Sequence, residues 1–329
     1  MGKPGFLARL RRGRDAAQRA FVVSAVTPLL LYMSFFTLFP MVWGLALAFF
    51  DYSARRSGGP ILGLGGDNPF VGLQNFRDMA NFAPEAALPV RQFHVSLKTT
   101  LLFAALILPL NLAITLPLAV LIESAHDQAK GLFRTFFFLP VLAPAVGVAI
   151  MWSYVYHPQR GLLNGILTLI NGRLVGINWT GDQSLLILGV PIALVAVVVA
   201  YLWQDLGYNL VIFIAALQGI PEDIKDAARI DGVDWWGMFR HITLPLLKPT
   251  ILLASVLTVI SAFQVFDIIQ VMTEGGPNDQ TRVLLLDIYN NAFRFQRMGW
   301  ASAVSVVLFL LVLAISLVQT RLLRTEWEY

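Results

Sequence analysis

The chain has 329 residues, of which 57% are hydrophobic and only 13% are charged, and its formal net charge is +4. Soluble domains carry about 25% charged residues, so this composition excludes an ordinary water-soluble globular protein. The sequence contains no cysteine, which excludes disulfides, thiolate catalysis and cysteine-ligated metal sites. The basic residues are scattered along the chain instead of forming one footprint, which argues against nucleic acid as a partner.

Six apolar runs are long enough to cross a bilayer, because a transmembrane helix needs about 20 mostly apolar residues. The sequence therefore predicts an all-α, polytopic membrane protein with six transmembrane helices, which are kinked where prolines fall inside the runs. The runs cover residues 21–50, 95–122, 135–157, 185–217, 246–270 and 298–320.

Lysine and arginine near the ends of the runs predict the orientation, since basic segments are retained on the cytoplasmic side of a membrane. Residues 1–20 include Arg9, Arg11, Arg12 and Arg14, so we expect a cytoplasmic basic segment, a membrane domain over residues 21–320 and a cytoplasmic tail over residues 321–329. The first run is far longer than the about 7–15 apolar residues of a signal peptide, which favours a retained anchor. The basic segment fits either a short interfacial helix or a disordered tail.

Three segments connect the runs on the outer side, at residues 51–94, 158–184 and 271–297, and none reads as a globular domain. The first is the longest. It contains turn-forming residues such as Gly58, Gly59, Pro60 and Gly63, which predict an irregular cap over the bundle.

The fourth run carries a stripe of polar side chains. Positions i, i+3, i+4, i+7 and i+8 share one side of a helix, and they are occupied by Tyr201, Gln204, Asp205, Tyr208 and Asn209. A carboxylate at mid-bilayer is unfavourable by about 2.5–3.5 kcal/mol, so Asp205 is expected to face protein or water. Tyrosine rings combined with amide and acid groups suit a sugar, which predicts a substrate site. The alternative is that these residues only join neighbouring helices, at about 0.6 kcal/mol each.

The fifth run adds Ser261, Phe263 and Gln264 to the predicted substrate site, whereas Asp267 is expected nearer the outer surface. Polar residues recur every three positions in this run. Such a spacing loses about 60° per step on a helix of 3.6 residues per turn, so the whole set is not expected to share one face. Asn111 and Thr115 in the second run form a weaker polar pair.

A polar loop over residues 218–246 separates the fourth and fifth runs. Pro221 suits a first helical position, with Glu222 and Asp223 at the positive end of the helix dipole. Gly232 stands where a helix ends in a left-handed residue. One face of this predicted helix has a centre of small residues and consists of Ile224, Ala227, Ala228 and Asp231.

Asp234 can cap a second short helix, which carries Trp235, Trp236, Met238 and Phe239. Two short helices of this kind form a knob that a partner protein can grip in a groove. The alternative is a connecting loop that lies on the membrane with its tryptophans among the lipid headgroups.

The loop resembles the EAA loop of permease subunits of binding-protein-dependent ABC importers, which runs Glu-Ala-Ala, two residues, Asp-Gly-Ala, then a Phe and an Ile-x-Leu-Pro ending. The matching residues are Ala227, Ala228, Asp231, Gly232, Phe239, Ile242, Leu244 and Pro245, with Asp226 for the usual Glu and Val233 for the usual Ala. FVGLQNF at residues 70–76, ALQGIP at 216–221 and TEGGP at 273–277 are similar to the carbohydrate-uptake, maltose-type branch.

This resemblance implies the type I importer fold in a bacterial or archaeal cell membrane, with both termini cytoplasmic. It also implies a second permease subunit in a heterodimer, two cytoplasmic ABC ATPase subunits and an extracytoplasmic solute-binding protein. Contact with the ATPase would fall to Asp226, Ala227, Ala228, Asp231, Gly232, Trp235, Trp236 and Phe239. The sequence has no G-x-x-x-x-G-K-[ST] phosphate loop, so ATP and Mg are expected on the partner, and this chain is expected to be a non-catalytic subunit without a cofactor.

Several alternatives remain open. The expected substrate is a di- or oligosaccharide such as trehalose or maltose, and a glycerol phosphate compound is the alternative. A membrane transferase with Asp205 and Asp267 as acid and base fits less well. An ion-driven transporter also fits less well, because the chain lacks two matching halves. A metal site is not expected, since His94, His126, His157 and His241 are far apart in the sequence.

Overall fold

The computed structural model describes residues 6–83, 85–173 and 175–323, and most of this backbone is helical, which confirms the predicted all-α class. The α-helices are α1 (Phe6–Met33), α2 (Phe39–Leu47), α3 (Gln74–Met79), α4 (Leu88–Glu123), α5 (Asp127–Phe138), α6 (Ala145–Val155), α7 (Leu162–Asn171), α8 (Ile192–Gln218), α9 (Glu222–Ile230), α10 (Trp235–Gly237), α11 (Leu244–Leu246), α12 (Lys248–Phe263), α13 (Asp267–Met272), α14 (Leu284–Tyr289) and α15 (Met298–Leu323). Tighter or wider helical turns occupy Ser34–Leu38, Leu139–Leu142, Met238–Thr243 and Asn290–Arg294.

Two short antiparallel hairpins complete the described secondary structure. β1 (Gly58–Ile61) pairs with β2 (Leu64–Gly66), and β3 (Leu186–Ile187) pairs with β4 (Val190–Pro191). The first hairpin lies in the segment for which the glycines predict an irregular cap, and Gly63 and Gly65 there have positive φ angles of 82° and 78°. Only glycine adopts such angles without a steric cost, which explains the glycine content of this segment.

Five helical segments are long and apolar enough to cross a membrane without interruption, as predicted. They are Ala20–Leu47, Leu88–Glu123, Ile192–Gln218, Lys248–Met272 and Met298–Leu322. α4 begins at Leu88, with Pro89 in its first turn, so the outer loop predicted at residues 51–94 ends about two helical turns earlier than expected.

The third predicted span, residues 135–157, is wrong as a continuous helix. Its halves, Gln128–Leu142 and Ala145–Val155, meet at an angle of 100°. Ala143 between them is extended, with ψ of 137°, because the proline at position 144 disfavours a helical conformation in the residue before it. The described chain therefore has five crossings, or six when the bent pair counts as one.

Helix α8 lies at the centre of the bundle and contacts α4, α5, α12 and the 3-10 turn Leu139–Leu142. Gln204 Nε2 on α8 donates to the carbonyl of Ala143 at 2.9 Å, which satisfies an acceptor freed by the break in the third span. Gly207 allows the close approach, since a Cβ at that position would lie 2.3 Å from the Phe137 carbonyl oxygen. Two apolar clusters pack around α8, one around Phe103 and Phe263 and the other around Phe213 towards the loop at its carboxyl end.

The segment after the fifth span, which contains α14, packs against α4 and α15. Arg282 is buried and forms an ion pair with Asp287, with 2.9 Å between Nη2 and Oδ1. Burial raises the pKa of Asp287, and the Arg282 guanidinium partly offsets this rise. The backbone N–H of Leu284 donates to Thr100 Oγ1 on α4 at 2.8 Å, so this segment is fixed to the bundle.

Candidate functional site

A buried polar network joins three helices near the middle of the bundle. Asn111 Nδ2 on α4 donates to Asp205 Oδ2 on α8 at 2.8 Å, and Asn111 Oδ1 accepts from Asn209 Nδ2 at 2.7 Å. The same Asn209 nitrogen also donates to Thr258 Oγ1 on α12 at 2.7 Å. Asn111, Asn209 and Thr258 are each at most 2% exposed, so these bonds form away from water. Buried polar groups need such partners, and the network fixes the Asp205 carboxylate.

Beside this network lies a cavity of about 340 Å³ between α8 and α12. Its polar lining comes from Asp205, Tyr208, Asn209, Thr258, Ser261 and Gln264, and its apolar lining from Leu257 and Ile260. The volume is within the range of about 300–1,000 Å³ that is usual for ligand sites. The cavity therefore combines a carboxylate, two amides, hydroxyl groups and an apolar wall, which together can bind a neutral, hydroxyl-rich molecule.

Five of the eight side chains predicted for the substrate site line this cavity, namely Asp205, Tyr208, Asn209, Ser261 and Gln264. The other three are not among its lining residues. Tyr201 packs edge-on against Phe103, and its hydroxyl lies beside the cavity, hydrogen-bonded to Ser261. Gln204 bonds to the break in the third span, and Phe263 is 1% exposed in the apolar core. The stripe on α8 thus contains both cavity-lining residues and residues that join helices.

Two residues contribute more to the site than the sequence pattern indicates. Thr258 lines the cavity together with Ser261 and Gln264, although a spacing of three was not expected to give one face. Helix α12 ends at Phe263 and Gln264 has a φ angle of −99°, so the local turn brings the Gln264 side chain round to the cavity. Asn111 was ranked as a weak candidate, yet it bridges Asp205 and Asn209; its signal was a lone amide in an apolar run.

The loop between α8 and α12 has the two short helices that the sequence predicts. Pro221 precedes the first helical residue, Glu222, instead of occupying it. Gly232 has a φ of 76°, and the N–H groups of Gly232 and Val233 donate to the carbonyls of Arg229 and Ala228 at 3.1 and 3.0 Å. These two bonds form a Schellman motif, which ends α9 at the predicted glycine. Asp234 Oδ1 accepts from Gly237 N at 2.8 Å and caps α10 as predicted.

The surface of this loop is more apolar than its sequence pattern indicates. On α9, Ala228 is buried and Ile224 is half-buried against the bundle, whereas Ala227 and Asp231 of the predicted face are exposed. Ile230, which the sequence analysis did not select, is 86% exposed. The exposed rings of Trp235 and Trp236 stack with Phe239 at ring-centroid distances of 6.2 and 5.7 Å.

Charged side chains cover the other face of α9. Lys225 Nζ lies 3.0 Å from Glu222 Oε2, and Arg229 Nη1 lies 2.7 Å from Asp226 Oδ1. The hydrogen bond and charge of Lys225 lower the pKa of Glu222. These pairs are exposed, so they contribute little to stability. One face of α9 is therefore charged. The loop also carries apolar side chains, which we call the apolar knob: Ile230, Trp235, Trp236 and Phe239.

A second cavity, of about 910 Å³, lies between this loop and the ends of α4, α5 and α8. Glu123, Gln218, Lys225 and Phe239 are among its lining residues. Glu123 forms an ion pair with Arg134 on α5 and also accepts from Gln218 Nε2 at 3.5 Å. Glu123 thus joins the ends of α4, α5 and α8 beside an open space, which the loop borders.

Comparison with known proteins gives a consistent result. The sequence profile of one family, described as "Binding-protein-dependent transport system inner membrane component", matches residues 115–325. The "Trehalose/maltose transport system permease protein MalF" of Thermococcus litoralis is 33% identical over 253 residues, 77% of this chain and 79% of that protein. The "sn-glycerol-3-phosphate transport system permease protein UgpA" of Agrobacterium fabrum is 34% identical over 264 residues, 78% of this chain and 83% of that protein.

One solved structure shares the fold over nearly the whole chain. It is the crystal structure of a bacterial alginate ABC transporter in complex with a periplasmic protein that holds an alginate pentasaccharide. One of its chains aligns with a TM-score of 0.77 at 20% identity, over 94% of this chain and 96% of that chain. The alignment confirms the predicted fold.

Removing the amide of Asn111 is expected to loosen the bundle. The Asn111→Ala variant leaves Asp205 Oδ2 and Asn209 Nδ2 each short of one partner, and an unsatisfied buried polar group costs about 1–3 kcal/mol. We therefore expect a clear fall in the Tm of the purified protein in lipid nanodiscs. Ser96→Ala is the matched control, because Ser96 is buried on the same helix and its hydroxyl bonds to the Phe93 carbonyl of that helix. Equal Tm values for the two variants would contradict the bridging role of Asn111.

Proposed function

The chain belongs to the binding-protein-dependent transport system inner membrane components, and we propose that it is one of two permease subunits that form the path of an ATP-driven sugar importer. This proposal rests on one observation: the cavity and the loop belong to the same continuous stretch of the family match. The family match over residues 115–325 includes the cavity on α8 and α12 and the loop that connects these two helices. In this proposal the cavity holds the substrate and the loop receives the movement of a cytoplasmic ATPase.

The proposed partners follow from family membership and from the shape of the loop. Two ATPase subunits bind and hydrolyse ATP with Mg, and one of them holds the knob formed by Ile230, Trp235, Trp236 and Phe239 in a cleft. This assigns the loop, residues 218–246, to the cytoplasmic side together with both termini. A second, different permease completes the path. An extracytoplasmic solute-binding protein delivers the substrate to the opposite face, a proposal supported by the solved relative, which was captured with its periplasmic protein.

The cavity lining favours a neutral di- or oligosaccharide, such as trehalose or maltose. Tyr208 is half exposed and offers a ring face for the C–H surface of a sugar, while Asp205, Asn209 and Gln264 offer donors and acceptors to hydroxyl groups. The similarity to a trehalose/maltose permease supports the same class. The chain itself changes no covalent bond in the substrate.

A glycerol phosphate compound is the second candidate, because the similarity to a glycerol-3-phosphate permease is equally strong. A phosphate group is usually bound by arginine or lysine. The residues that line the 340 Å³ cavity include no basic side chain and do include the Asp205 carboxylate, which repels an anion. The lining therefore favours the sugar over the phosphorylated solute.

Uptake by the assembled transporter distinguishes these substrates. The chain, its partner permease, the ATPase and the solute-binding protein are reconstituted in liposomes with ATP inside, and labelled trehalose, maltose and glycerol 3-phosphate are supplied in turn. We expect ATP-dependent accumulation of a disaccharide. Accumulation of glycerol 3-phosphate alone would reject the sugar assignment, and accumulation without the ATPase would reject the importer mechanism.

Changes in the cavity are expected to reduce uptake without disturbing assembly. A hydrogen bond to a charged group contributes about 1.5–3 kcal/mol, so Asp205→Asn is expected to raise the KM for uptake about tenfold or more. Tyr208→Ala is expected to act in the same direction by removing the ring face. Tyr154→Ala, an exposed tyrosine on α6 outside the cavity lining, is the matched control and keeps normal uptake. If the cavity variants lose assembly but the assembled fraction transports normally, these residues only join helices.

Gly232, which ends α9, is expected to be required for coupling ATP hydrolysis to substrate uptake. In Gly232→Ala the added Cβ has open space, but alanine at a left-handed φ costs about 1–2 kcal/mol, so α9 no longer ends in the same geometry. We expect normal membrane insertion and normal docking of the solute-binding protein, with uptake reduced several-fold per ATP hydrolysed. Gly131→Ala on α5 is the control, because its Cβ also has open space and its φ is not in the left-handed region. Unchanged transport by the Gly232 variant would count against the coupling role.

A further inference from the structure

Helix α7 (Leu162–Asn171) is not explained by the substrate cavity or by the coupling loop. It follows the broken third span and precedes α8, and it is too short to cross a bilayer. Its sequence, LLNGILTLIN, contains no charged residue.

One face of α7 is apolar and exposed. Leu162, Ile166, Leu169 and Ile170 occupy positions i, i+4, i+7 and i+8, which lie within an arc of about 100° on a helix. Leu169 and Ile170 are 85% and 75% exposed, and Leu162 and Ile166 are also exposed. An apolar face of this size is unfavourable in water, so it has to be covered in the functional protein.

The opposite face of α7 is fixed to the bundle through Asn164. This side chain is 2% exposed; its Nδ2 donates to the carbonyls of Pro158 and Ile177 at 2.9 and 2.8 Å, and its Oδ1 accepts from Trp179 Nε1 at 2.9 Å. Asn164 lies on the helix almost opposite the centre of the apolar arc. The rotation of α7 is therefore set by hydrogen bonds, and the apolar face is held outwards.

The position of α7 is tied to the amino end of α8. Trp179 packs on Tyr156, and Tyr156 OH donates to the carbonyl of Ala196 in the first turns of α8 at 3.1 Å. The coupling loop leaves the other end of α8, at Gln218, so α7 and the loop belong to opposite faces of the bundle. Helix α6 contacts α7 and exposes the apolar side chains of Ile150 and Tyr154 on its surface.

We propose that α7 lies parallel to the cell membrane, at the membrane–water interface on the side opposite the loop at residues 218–246. Its apolar face then lies among the lipid acyl chains. Three observations support a lipid surface as the occupant: the continuity with the exposed apolar side of α6, the amphipathic face held outwards by Asn164, and the exposed arginines Arg160 and Arg173 at the two ends of the helix. Interfacial helices carry basic residues beside the apolar face, where they meet anionic phosphate groups. This inference requires a membrane-embedded bundle but does not depend on the nature of the substrate or the ATPase.

The absence of cysteine from the chain allows a direct test. Leu169→Cys places a fluorescent label on the apolar face, and Asn171→Cys places the same label two residues away on the polar side, where Asn171 is also exposed. Each labelled variant is assembled with its partner permease in nanodiscs of phosphatidylcholine and phosphatidylglycerol, and quenching by lipids with brominated acyl chains is measured. Because interfacial helices bury their apolar face about 5–10 Å deep, we expect at least about twofold stronger quenching at position 169 than at position 171.

Equal lipid quenching at the two positions would overturn the proposal. A label at position 169 that is accessible to a water-soluble quencher, and becomes shielded only when the solute-binding protein is added, would also overturn it and assign the face to that protein. Thermal unfolding of both labelled variants, with Tm values close to that of the unmodified chain, verifies that the labels report on a folded bundle.

Discussion

A carboxylate inside an apolar bundle has to be hydrogen-bonded, and the bond from Asn111 to Asp205 meets this requirement. Through Asn209 and Thr258 the same network reaches a third helix, so α4, α8 and α12 are held together by polar groups at the level of the cavity. The apolar clusters on either side pack against these same helices. Three residues of this polar network, Asp205, Asn209 and Thr258, also line the cavity, so the network fixes part of the cavity wall.

Helices α8 and α12 connect this polar network with the loop at residues 218–246. Asp205 lies 13 residues before the end of α8 at Gln218, or about 20 Å along the axis, and Thr258 lies 10 residues after the start of α12 at Lys248, or about 15 Å. Both walls of the cavity are thus continuous with the two ends of one loop. Both helices run without a break between the loop and the cavity, so a rigid displacement of the loop moves both walls of the cavity together.

The sequence correctly predicts the fold class, five of the six expected spans as continuous helices, and the caps in the loop at residues 218–246. These features depend on local patterns: long apolar runs, a glycine after an amphipathic turn and an aspartate before a short helix. The sequence fails where tertiary contacts decide. Pro144 favours the break at Ala143, but the carbonyl there is satisfied by Gln204, which is 61 residues away, and Phe263 does not line the cavity because its ring is buried in the apolar core. The role of Asn111 could not be inferred from spacing, since its partners are 94 and 98 residues away in the sequence.

The first span has an unusual place in the bundle. None of the residues in its most apolar window is buried, and its main contact with the other helices is between α2 and α15, which is the last helix of the described chain. During synthesis on the ribosome the first span thus enters the membrane long before the surface that receives it has been made. Its early insertion has to be stable in lipid alone, which agrees with an apolar helical segment of 28 residues.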